Sequence, residues 1–242
     1  MGNSVIDPRV LKGFRTFIRL ELDDEPTLSR KDLTICLNCH VPQIKDATPE
    51  LVEQIAEMVI TAVEDKNEDK RESAKKELSR LNLNCLGCHH LRARGFDGEP
   101  EKGVIYGPND IDYQPHEGIG FKTKRSELMT RSDFCAQCHH CPPTVPWKEC
   151  PTLYTSYVDD FLKKGGKGSC QDCHMKDKER QDGWWSHRFY GPQDVDFLKS
   201  AISINMRARP TRYIDMDEGR FIPAVVLEVE LRNNAGHVIP HG

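Results

Sequence analysis

The residues of this chain best equipped for chemistry recur in one pattern: Cys36-Leu37-Asn38-Cys39-His40, Cys85-Leu86-Gly87-Cys88-His89, Cys135-Ala136-Gln137-Cys138-His139 and Cys170-Gln171-Asp172-Cys173-His174. Two thiols on one short turn suit thioether bonds to the two vinyl groups of a porphyrin, and the imidazole that follows falls under the iron. A zinc ribbon does not require histidine after every second cysteine, and a thioredoxin-like dithiol sits in a βαβ unit, which surrounds none of these copies. The pattern predicts four covalent haem c groups. Cys36, Cys39, Cys85, Cys88, Cys135, Cys138, Cys170 and Cys173 are the attachment residues, and His40, His89, His139 and His174 the proximal iron ligands.

What the irons do depends on their sixth position. Ten histidines less the four proximal ones leave His90, His116, His140, His187, His237 and His241. Four are needed to close every iron, and closed irons favour electron transfer over substrate chemistry. His90, His116, His187 and His237 are the first candidates for distal ligands, with His140 a further one; His241 lies beside the terminus. His90 and His140 each follow a proximal histidine, so they serve a neighbouring haem or are propionate-bonded or surface residues. Met175 follows His174 directly and is poorly placed to ligate its own haem, and Met58, Met129 and Met206 fit apolar faces as packing residues.

Composition sets the frame. A hydrophobic content of 37% and a mean hydropathy of −0.63 are thin for a core in 242 residues, and apolar macrocycles would fill that deficit. The formal charge of −4 and pI near 6.2 argue against nucleic acid as a partner. No apolar run has the roughly 18 residues of a membrane span. Haem attachment of this type occurs outside the cytoplasm, so the protein is expected to be exported, with Met1 not the native precursor's start. Cys141 and Cys150, flanking Pro142-Pro143-Thr144-Val145-Pro146, are expected to pair as a disulfide there.

The supporting elements are read as mostly α and irregular, with a small C-terminal β-hairpin. Residues 1–200 form the haem-bearing domain and 201–242 a strand region. Val10-Leu11 and Phe14 to Ile18 have loose helical spacing. Thr48-Pro49-Glu50 starts a helix with Leu51, Ile55, Met58, Val59 and Ala62 on one face, and a charged, solvated second helix follows, so that 51–81 is a helical segment between the first two motifs. The Gly/Pro-rich stretch from Arg94 to His116 lacks a period and reads as a loop over porphyrin. Ser126 to Asp133 and Tyr154 to Lys164 are short helices. Ile202 to Ala208 and Val225 to Leu231 alternate with period two and join through Asp217-Glu218-Gly219.

Four segments together carry a resemblance: Ser132 to His139, Gly168 to Met175, Ser186-His187-Arg188-Phe189, and Asn234 to Pro240. Over about residues 85–242 the chain resembles the multihaem cytochromes c of metal- and sulfur-respiring prokaryotes, including tetrahaem subunits of extracellular conductive filaments. The resemblance implies ligand roles for His116, His187 and His237. It also implies self-association into a filament, or a soluble periplasmic carrier, with redox proteins or extracellular acceptors as partners. The other reading is a haem enzyme acting on a small nitrogen or sulfur compound through one open iron. Where the family commonly continues Gly-His-x-x-Pro with Thr-Gly, this chain has Pro240-His241-Gly242, as a short or truncated variant would.

Overall fold

A computed structural model describes residues 3–19, 33–44, 47–95, 98–111, 113–140, 153–176 and 185–239. Two compact units divide the chain, Met1–Pro142 and Pro143–Gly242. The secondary structure is mixed, mostly helical, with an antiparallel hairpin near the C-terminus. The proposed Cys141–Cys150 pair and His241 lie outside the described residues.

The first unit has a side-chain core of its own. Helix α1 (Pro8–Ile18) is capped by Asp7, whose carboxylate accepts from the Arg9 backbone N–H. It buries Leu11 and Phe14. Helix α3 (Pro49–Glu64) starts where Thr48 Oγ1 accepts from Leu51 N and proline takes the first turn. Its buried face is Val52, Ile55, Ala56, Val59 and Ala62, so Val52 rather than Leu51 leads the stripe, and Leu51 points to solvent. Asn67 caps α4 (Glu68–Ser79), which gives only Ala74 and Leu78 to the core and leaves its charged residues in water. Short helix α2 (Thr34–His40) adds Leu37 to the same cluster.

The stretch read as an irregular loop contains strand β1 (Val104–Gly107), which pairs in parallel with β2 (Lys122–Arg125) just beyond it. Four-residue strands with glycine, lysine and arginine carry too little period-two signal to be seen locally. Val104 and Tyr106 are buried with Ala93 and Met129. A 3-10 turn (Glu127–Thr130) then leads into α5 (Ser132–His139).

The second unit buries little apolar surface. Tyr157 is the one buried large apolar side chain among its described residues. Its elements are α6 (Leu153–Ser156), which widens into a π-helical turn (Tyr157–Leu162), then α7 (Cys170–His174) and α8 (Val195–Ala201). Strands β3 (Ile202–Asp215) and β4 (Arg220–Asn233) form a ribbon of fourteen paired positions, closed at Met216 to Gly219. The expected hairpin is present, with arms about twice as long as the alternation marked. Met206 stands 64% exposed on it rather than packed in a core. Among the described residues no helix is long and apolar enough to cross a membrane.

Candidate haem-attachment sites

Each repeated pattern sits on a short helical segment that ends at or just after its histidine: α2 at His40, α5 at His139, α7 at His174, and a π-helical turn (Gly87–Leu91) around Cys88-His89-His90. In a helix the residues at i, i+3 and i+4 share a face. Both thiols and the imidazole of a motif therefore project to one side. The Cys85-x-x-Cys88-His89 segment has the spacing for haem c attachment. Its π turn is closed by Arg92 N–H donating to Gly87 O at 3.2 Å, five residues back. A Cβ on Gly87 would meet Leu83 Cδ1 at 2.5 Å, so the turn is shaped around glycine.

Three of the four motif imidazoles are held in one tautomer, and the fourth, His139, is exposed at the end of α5. His40 Nδ1–H donates to Ser4 O at 2.7 Å, His89 Nδ1–H to Tyr106 O at 2.7 Å and His174 Nδ1–H to Tyr190 O at 2.7 Å. A carbonyl only accepts, so Nδ1 carries the proton and Nε2 is left with its lone pair, which is the arrangement of a metal-ligating histidine. Two distal candidates show the same device. His90 Nδ1–H donates to Val104 O at 2.8 Å, and His237 Nδ1–H to Val238 O at 2.9 Å. Strand β1 thus holds two consecutive histidines: carbonyls 104 and 106 face the imidazoles while Gly103 and Gly107 accept from Lys122 and Ser126 beside β2.

The rings of His174 and His237 are near-parallel, 12° apart in plane, with centroids separated by 6.2 Å. Two metal–imidazole bonds of about 2.0–2.1 Å, plus about 1.2 Å from each nitrogen to its ring centre, span about 6.5 Å. The centroid separation is within a few tenths of an ångström of that of two imidazoles holding one metal ion. Asn233 Nδ2 donates to His237 O at 2.8 Å and Val238 N–H donates to Ser156 Oγ at 2.8 Å, which fixes His237 between the ribbon and α6. Phe197 of α8 packs edge-on against His174, centroids 5.3 Å apart.

In the first unit three motifs converge. Arg92 donates to Asn38 O, and Gln137 Nε2 donates to Arg92 O at 2.9 Å. Cys39 Sγ lies 3.8 Å from Gln137 O, and Cys138 Sγ 4.0 Å from Cys39 O. The hydrogen bond from Cys138 draws the Cys39 thiol down to about 7, against the opposing effect of burial, and holds Cys138 protonated. Burial, then neighbouring Cys39, pushes Cys36 up to about 11. Among the described residues, no three Cys, His, Asp or Glu side chains gather as a metal site.

The remaining candidates are placed less tightly. His116 precedes a 3-10 turn (Glu117–Ile119), its carbonyl accepting from Ile119 and Phe121 N–H. His140 is half-buried after α5. His187 is exposed, with Phe189 edge-on at 6.5 Å, on a segment tied to α7 by Ser186 N–H to Met175 O and Tyr190 N–H to His174 O. Sequence reasoning gave the N-terminal arm no chemical role. Yet Ser4 orients His40, and Phe14 packs edge-on against that ring at 5.2 Å. Ser4 also accepts from Leu83 N–H through Oγ. Comparison with protein-family models, with curated proteins and with solved structures finds no match to this chain.

Proposed function

We propose that all four Cys-x-x-Cys-His segments carry covalently attached haem c and that the protein is an electron carrier, not an enzyme. The observation that carries this reading is the pair His174 and His237, each with Nδ1 tied to a carbonyl and the rings set 6.2 Å apart in near-parallel planes. Haem iron held on both faces supplies one-electron redox chemistry without an open coordination position.

The chain's own residues have three tasks. The cysteine thiols would tether the porphyrin through its vinyl groups; the histidine Nε2 atoms would hold the iron; and the carbonyls of Ser4, Val104, Tyr106, Tyr190 and Val238 set the imidazole orientation. His90, locked by Val104, belongs with the distal ligands. His116, His140 and His187 are the candidates for the remaining irons. Contact between the second cysteines of motifs one and three brings two attachment points together. That proximity favours transfer between neighbouring centres within the first unit. On this reading the protein works outside the cytoplasm, at the cell surface or in a periplasm, and exchanges electrons with redox proteins or extracellular acceptors.

Intact-mass measurement on protein from a host able to attach haem c tests the reading, with four haem masses added expected. Electron paramagnetic resonance of the oxidised protein should show low-spin iron throughout. A colourless protein, or a dominant high-spin signal, overturns it.

A further inference from the structure

Ribbon β3–β4 has two unlike faces. On one, the register sets Arg207 opposite Glu228 and Asn205 opposite Glu230, with Arg209 3.6 Å from Glu228. On the other it sets Ile204 opposite Leu231, Met206 opposite Val229 and Ala208 opposite Leu227. That second face continues to Ile214 and Phe221, and Arg212 is its single charge. It is uncovered: Ile204, Met206, Leu227, Leu231 and Phe221 are 63%, 64%, 60%, 67% and 65% exposed. Fourteen residues at about 3.3 Å each make the stripe roughly 46 Å long. A contiguous apolar patch of this extent marks an interaction surface, and a two-stranded ribbon is marginal by itself.

The edges are not the docking surface. Pro210 pairs with Val225 and Pro223 with Arg212. Proline cannot donate, so both are non-hydrogen-bonded pairs with the proline nitrogens turned to the outer edges. Each edge is interrupted by a proline, which opposes strand addition. The apolar face is what remains.

We propose that this face is covered by the same face of a second copy, the two ribbons stacking about a two-fold axis. Some ten apolar side chains at roughly 80 Å² apiece offer on the order of 800 Å² per copy, one side of a standard stable interface. Elsewhere among the described residues the large exposed apolar side chains are scattered over separate short segments, such as Val195 and Leu198 on α8. The ribbon is therefore the matching surface a second copy can offer. Tip-to-base stacking keeps the two Arg212 side chains about 23 Å apart, seven residues of strand, whereas tip-to-tip stacking would oppose them.

The test is sedimentation velocity of the full chain as purified, at micromolar concentration. Wild type should sediment as a dimer. Met206→Asp with Leu227→Asp should weaken association at least about 100-fold, whereas Arg207→Ser on the charged face should leave it intact. Ala208→Cys, near the axis, should cross-link the two copies under mild oxidation. Unchanged circular dichroism in the double variant separates lost association from lost fold. A wild type that is monomeric at about 100 µM, or a double variant that assembles as tightly as wild type, overturns the proposal. The proposal is independent of the haem reading: a colourless dimer leaves it standing, and a red monomer overturns it.

Discussion

In every motif at least one of the two positions between the cysteines has identifiable work. Leu37 packs in the first unit's core, Asn38 accepts from Arg92, and Gln137 bridges to the Arg92 carbonyl. Gly87 leaves room for Leu83. Asp172 forms a capping box with Ser169, accepting from Ser169 N–H at 2.7 Å while Ser169 Oγ accepts from Asp172 N–H at 3.2 Å. Asp172→Ala should destabilise α7 by about 1 kcal/mol, read as a lower denaturant midpoint for the second unit. If the proposed four-haem reading holds, His237→Ala should open one iron in four, giving a high-spin signal and binding of about one carbon monoxide per chain. If the oxidised spectrum of that variant stays low-spin, His237 is not an axial ligand.

Helix α3 is the central support of the first unit, because Ile55 and Val59 are fully buried among α1, α2 and α4. Ile55→Ala should cost about 2–5 kcal/mol, measurable by equilibrium denaturation. Glu64 at the end of α3 joins it to α1, accepting from Arg19 at 2.7 Å and Arg15 at 2.5 Å. The hydrogen bonds from Arg19, then Arg15, hold its carboxyl below the ordinary range. A carboxyl lowered by folding stabilises above its unfolded pKa and loses that contribution as pH falls through the folded value. The α1–α3 junction should therefore loosen in acid, and Glu64→Gln should flatten that dependence in a pH series of melting temperatures. The start of α3, the charged α4 and the hairpin were all legible because their signals lie within a few residues. The β1–β2 pair was not, because its strands are too short for alternation and are joined by contacts across the intervening loop.

The two units obtain their order differently. The first has a conventional apolar cluster, whereas Tyr157 alone represents such residues in the described part of the second. That contrast gives the haem reading a thermodynamic consequence, since covalent macrocycles would supply the missing interior. Replacing Cys170 and Cys173 by alanine should abolish hydrogen-exchange protection in α7 and α8 while protection in α3 persists. Equal loss in both units, or none in either, would contradict this division.

Local spacing made the four Cys-x-x-Cys-His segments readable from the chain alone as candidate attachment points, since each pattern is complete within five residues. Tertiary structure decided which carbonyl orients which imidazole, with partners 14 to 36 residues away. It also decided that the second cysteines of motifs one and three touch across about a hundred positions, and that one ribbon face stays uncovered. Periodicity tells which side of an element is apolar; only the packed chain determines what, if anything, that side meets.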